Sequence, residues 1–99
     1  MHVIRAAGIS TVFLLLASCA QNVGALGCEE ITGKAKELSE RQDMKITALA
    51  NVTESSRTEH DVRCRADATW SDNATTAVYV RAYDDGENRM VAYQATPFE

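Results

Sequence analysis

Apolar residues follow three rhythms along this chain. Between Ala6 and Leu16 they run almost unbroken, through Ile9, Val12, Phe13, Leu14, Leu15 and Leu16, and no acid occurs before Glu29. From Glu29 to about Gln42 they return at helical spacing, with Ile31, Ala35 and Leu38 at i, i+4 and i+7 among Lys and Glu. From Met44 onward they alternate with polar residues, the period of a strand with one buried face. The pattern predicts a leader, one helix and then a sheet.

The predicted helix carries Glu29 and Glu30 in its first turn and Arg41 near its last, the order the helix dipole favours. Gly33 weakens it by roughly 1 kcal/mol relative to alanine. Its apolar stripe is narrow and requires a sheet to lie on. Met44 to Thr53 predicts the first strand, with Met44, Ile46, Ala48, Ala50 and Val52 on one face; Leu49 breaks the alternation. Residues 54–59 are polar and read as a connection. From Asp61 to Trp70 the alternation is nearly perfect: Val62, Cys64, Ala66, Ala68 and Trp70 against Arg63, Arg65, Asp67 and Thr69.

Ser71-Asp72-Asn73 predicts a three-residue hairpin loop, with Asn73 in the left-handed conformation. The third strand, Thr75 to Tyr83, sets Thr76, Val78, Val80 and Ala82 on one face, and Asp84-Asp85-Gly86-Glu87 predicts a second hairpin. Loop parity then decides the fourth strand. A two- or four-residue loop aligns Val91 and Tyr93 with Val80 and Val78, facing the core, whereas a three-residue loop aligns Met90 and Ala92 instead. Two large apolar residues, one aromatic, favour the even loop. Pro97 ends the fold. The fold class is therefore α+β: one N-terminal helix packed on a four-stranded antiparallel meander, in the order helix-β-β-β-β. The layout resembles a cystatin-type fold lacking its first strand, a likeness that carries no function by itself. Ala35, Ala48, Ala50, Ala66 and Ala68 imply close packing between helix and sheet rather than a ligand cavity there.

The apolar run is too short for a membrane span, which needs about 20 residues, and it ends on small residues. One basic residue, Arg5, precedes it. Leu16-Ala17-Ser18-Cys19 at its end resembles the lipobox of bacterial lipoprotein precursors. That resemblance implies cleavage before Cys19, acylation of Cys19, and a domain anchored to a membrane outside the cytoplasm. Ala20 stands where many enteric lipoproteins carry the Asp that retains them at the inner membrane, so the implied location is the outer membrane, facing the periplasm. Residues 1–18 are then the signal peptide, 19–27 a lipidated, Gly-containing tether, and 28–99 a single small domain. A competing cut follows Val23-Gly24-Ala25, whose small residues suit ordinary secretion. Asn51-Val52-Thr53 and Asn73-Ala74-Thr75 would be glycan acceptors in a eukaryotic secretory pathway, and they are read as unused.

With Cys19 taken by the lipid, Cys28 and Cys64 remain as a pair in an oxidising compartment, which implies a disulfide. Closing that loop of about 37 residues stabilises a small domain by roughly 4 kcal/mol in the chain-entropy model. Cys28 directly precedes the helix, and Cys64 falls on the apolar strand face, so the bond would pin the helix to the side the pattern already buries.

Composition narrows function mainly by exclusion. From Cys19 onward, losing Arg5 leaves nine basic residues against fourteen acids, a formal charge of −5. An acidic, exported chain does not suit nucleic acid. One histidine, His60, lies beyond the leader, beside Glu59 and Asp61, and no free cysteine, Gly-rich phosphate loop, HExxH or GxSxG is present. The reading is non-enzymatic, without cofactor. The hairpin Asp84-Asp85-Gly86-Glu87 offers oxygens but lacks the alternating ligands of a calcium loop, so no metal site is assigned. The candidate working surface is the outer sheet face, where parity gathers Arg63, Arg65, Tyr79, Arg81, Tyr83 and Met90. Arg, Tyr and Met are enriched at protein interfaces, although Arg and Tyr are also ordinary cross-strand partners on a solvated sheet. The expected function is binding of another envelope protein, in an accessory, inhibitory or immunity-type role. The alternative is a freely secreted disulfide-bonded protein cut after Ala25, with an extracellular target.

Overall fold

Helix α1 (Cys28–Ser39) lies on an antiparallel sheet of four long strands, β1 (Ile46–Arg57), β2 (Asp61–Trp70), β3 (Thr75–Asp84) and β4 (Asn88–Gln94), in the order β4-β3-β2-β1. The computed structural model describes residues 22–98, together with the backbone of three short stretches, 4–6, 9–11 and 14–17. The last stretch, Leu14–Ala17, runs antiparallel along the outer edge of β4, with Leu14 opposite Val91 and Ala17 opposite Asn88. It belongs to the segment read as the leader, so cleavage before Cys19 would leave the four-stranded sheet. Cys19 lies outside the described residues.

The core forms where the two periodicities meet. Ile31, Ala35 and Leu38 from the helix pack on Val62, Cys64, Ala66 and Ala68 of β2, Val78, Val80 and Ala82 of β3, and Val91 and Tyr93 of β4. Each large side chain fully buried there stabilises by about 1.5–3 kcal/mol. The Cys28–Cys64 disulfide ties the first residue of α1 to this buried strand face. The helix is shorter than the pattern predicts, ending at Ser39, where the Ser39 hydroxyl accepts the Ile46 N–H at 2.9 Å and donates to the Lys36 carbonyl at 2.7 Å. That buried hydroxyl joins the helix end to the sheet.

Three sequence expectations need correction. The first strand runs on to Arg57, so most of the expected polar connection is strand. It carries register shifts at Ile46/Ala48, Ala50/Thr53 and Glu54/Ser56, with Asn51 at φ 55°. These bulges break strict alternation: Ile46, Leu49 and Val52 turn toward the core, while Met44, Ala48 and Ala50 are exposed. The second hairpin has the even loop, four residues between Asp84 and Arg89. It sets Val91 opposite Ala82 and Tyr93 opposite Val80, the expected face but two residues displaced along β3. Finally, residues 22–27 are not a free tether. Val23–Ala25 forms a turn of 3₁₀ helix whose Val23 is fully buried.

The remaining turn chemistry follows the sequence. Asn73 sits at φ 71°, its N–H bonded to the Trp70 carbonyl, and Asp72 accepts the Ala74 N–H at 2.9 Å. Gly86, at φ 94°, occupies a conformation that glycine adopts without a Cβ penalty.

Candidate functional site

The outer sheet face brings together the six residues that parity selects. Arg63 stands opposite Arg81, Arg65 opposite Tyr79, and Tyr83 opposite Met90, all half-buried. The guanidinium of Arg81 lies 4.2 Å from the Tyr83 ring centroid. Asp61, on the same face, accepts from Arg81 at 2.6 and 2.9 Å and from Arg63 at 3.3 Å, while Asp67 lies 3.5 Å from Arg65. Burial pushes the Asp61 carboxyl up, but the Arg81 and Arg63 contacts outweigh it and hold it below its ordinary range. The positive charge of this face is thus largely answered from within the sheet. The chain also turns back at its end, so that the Phe98 carbonyl accepts from Arg63 at 3.4 Å. Parity already set Asp67 beside the arginines; what it could not show was the returning C-terminus.

The end of the sheet at His60 and Asp84 is a clasp. The Asp84 carboxylate accepts the Val23 N–H at 2.7 Å and the Gly86 N–H at 3.0 Å, and it pairs with His60 Nδ1 at 2.5 Å. Burial opposes its ionisation, yet these bonds win and lower its pKa. His60 is raised, chiefly by its hydrogen bond to Asp84. Arg57 donates to the carbonyls of Gly24 and Leu26 at 2.8 and 2.7 Å, and Gly24 N–H reaches the Glu59 carbonyl. Asp85 caps the adjoining turn by accepting the N–H groups of Glu87 and Asn88. The acidic hairpin therefore spends Asp84 and Asp85 on local structure. His60 is exposed and carries this ion pair.

At the opposite end lies a half-open groove of about 680 Å³. The loop after α1 supplies Gln42, Asp43 and Met44, β2 and its hairpin supply Trp70, Asp72 and Ala74, β3 supplies Thr76, Ala77 and Tyr79, and the end of β4 supplies Tyr93, Gln94, Ala95 and Pro97. The Trp70 indole N–H donates to the Thr76 hydroxyl at 2.8 Å, which fixes its ring. The groove exists because β4 stops short: its last pair is Gln94 with Tyr79, while β3 continues back to Thr75. Backbone groups of alternate residues in β3 point to β4, and the pairs at Tyr79, Arg81 and Tyr83 place Ala77 next in that series. No backbone partner meets Ala77 on that side among the described residues. Of the five alanines taken as close packing under the helix, Ala35, Ala66 and Ala68 are fully buried, while Ala48 and Ala50 are exposed; the groove lies at the sheet's end. Strand alternation contains no signal for it.

Burial alone pushes the Tyr93 phenol up to about 12. It is neutral at physiological pH, able to donate or accept one hydrogen bond. Among the described residues no cluster of three or more His, Cys, Asp or Glu is placed to hold a metal ion, and no helix is long and apolar enough to cross a membrane. No family model, curated protein or solved structure matches this chain.

Proposed function

We propose that this chain is a lipid-anchored cell-envelope protein whose small domain binds another protein through the groove at the end of the sheet away from its anchor. The groove carries the reading: it combines apolar and aromatic walls with an unpaired strand edge, the combination that accepts a segment of another chain. Its position suits an anchored module. Val23 is packed in the clasp, so only residues 20–22 separate it from Cys19. Strands β2 and β3 then carry the groove about 30 Å away, at ~3.3 Å per residue.

The clasp also favours cleavage before Cys19 over cleavage after Ala25. The later cut would remove a fully buried Val23, and with it the N–H bonded to Asp84. The outer membrane, facing the periplasm, is the location the lipobox resemblance supports. The role this reading assigns is non-enzymatic binding.

Photo-cross-linking in living cells tests this reading against the sheet face. A photoreactive residue at Ala74, in the groove, is expected to give one discrete covalent adduct, and one at Glu40 on the exposed helix end none. An adduct from Arg65 alone would transfer the site to the outer face, and absence of any adduct would overturn the proposal. The mass of the mature N-terminal peptide checks the anchor: acylated Cys19 is expected, and a soluble protein beginning at Leu26 would refute it.

A further inference from the structure

We infer that the groove takes an extended peptide segment carrying a basic side chain beside an apolar one, laid as a short added strand along the free edge of β3. This rests on the groove being the binding site and specifies what it recognises. Backbone geometry gives the first constraint. Beyond Gln94 the place of the next strand residues is vacated by β4, whose chain bends away through Ala95 and Pro97, and the Gln94 side-chain amide donates to the Thr96 and Pro97 carbonyls. The Ala77 N–H and C=O are left on that edge, where an antiparallel segment of about four residues would satisfy both.

Charge gives the second constraint. Asp43 and Asp72 line the groove, neither has an ion-pair partner among the described residues, and none of the described lining residues is Lys or Arg. Arg41 and Lys45 flank the Gln42–Met44 loop without lining the groove, and Lys45 gives its amine to the Gln42 carbonyl at 2.8 Å. The same groove is lined by the rings of Trp70, Tyr79 and Tyr93, with Trp70 held in place by its bond to Thr76. Aromatic faces and carboxylates together attract a cation that still carries apolar surface, as the stems of Lys and Arg do. Tyr93 also lines the groove, where its phenol can pair with a peptide group of the added segment.

Trp70 is the chain's single tryptophan, so its emission reports on the groove alone. The protein purified from its own cells is titrated with acetyl-Val-Lys-Val-Arg-Val-amide, with the same peptide bearing Gln or Glu at both basic positions, and with a backbone N-methylated form of the basic peptide. A saturable Trp70 change is expected with the basic peptide. Binding should weaken at least tenfold for the Gln and N-methylated forms, and disappear for the Glu form. Asp43→Asn with Asp72→Asn should reproduce the tenfold loss with an unchanged melting transition. Equal affinity for the Gln peptide would overturn the inference while leaving the groove as a binding site, and undiminished binding of the N-methylated form would overturn the added strand. No saturable change with any peptide would overturn both this inference and the groove reading.

Discussion

Asp84 joins parts of the chain that lie far apart in sequence: the Val23 N–H, the His60 ring and the Gly86 N–H all converge on its carboxylate. The ion pair with His60 makes stability depend on pH. Because the folded-state pKa of His60 is raised above its ordinary 6.5, its contribution is fully present below that value and is lost as pH rises through the raised one. Asp84 acts in the opposite sense: its lowered pKa contributes above the ordinary 3.8 and is lost as pH falls below it. Urea unfolding across pH 5 to 9, a range chosen to bracket roughly the ordinary histidine value, should therefore show stability declining above 6.5. In His60→Gln the decline should vanish. A variant that kept it would assign the pH dependence elsewhere.

Among elements, the 3₁₀ turn at Val23–Ala25 depends most on a single small residue. A Cβ on Gly24 would stand 2.8 Å from the Thr58 carbonyl oxygen and 2.9 Å from the Glu59 Cα, both backbone atoms that cannot swing aside. Gly24→Ala should destabilise by about 1–3 kcal/mol, as overpacking generally does. Gly33, in the helix, meets nothing within 4 Å, so Gly33→Ala should stabilise by about 0.5–1 kcal/mol through helix propensity. Chemical denaturation of the two variants checks these opposite signs. Strand β1 shows another dependence on context. Its bulges turn Leu49 inward and leave Ala48 exposed, the reverse of a period-two reading of Met44–Thr53, while Ile46 and Val52 keep the face that reading assigns.

On the scale of the whole molecule, the disulfide and the clasp hold one helix to one sheet in a domain too small to bury a large core. Replacing both Cys28 and Cys64 by Ala should lower stability by about 2–5 kcal/mol, measured as a fall in the urea midpoint without loss of cooperativity. A negligible change would show that the bond merely decorates a core already sufficient. The two ends of the sheet differ: the clasp holds residues 22–27 against one end, while the groove opens at the other, where β4 ends.

Local period fixed which residues of β2 and β3 face inward, because side-chain direction alternates whatever the neighbours are. It also placed the left-handed Asn73 and the inward-facing Tyr93, and it set Cys64 on the buried face that its partner Cys28 reaches. Parity could not decide where the hairpin is centred, since moving its centre by one residue keeps the same face inward. That choice decides the groove. A loop centred between Asp85 and Gly86 would place Gln94 opposite Ala77 and cover the edge; the observed loop, residues 85–88, is centred one residue later, which draws β4 back by two positions and leaves Ala77 open. The burial of Val23 likewise has no local signal, because it depends on Asp84 arriving 61 residues later in the chain. Register offsets and strand ends are set by packing between elements, so they became visible only in the tertiary structure.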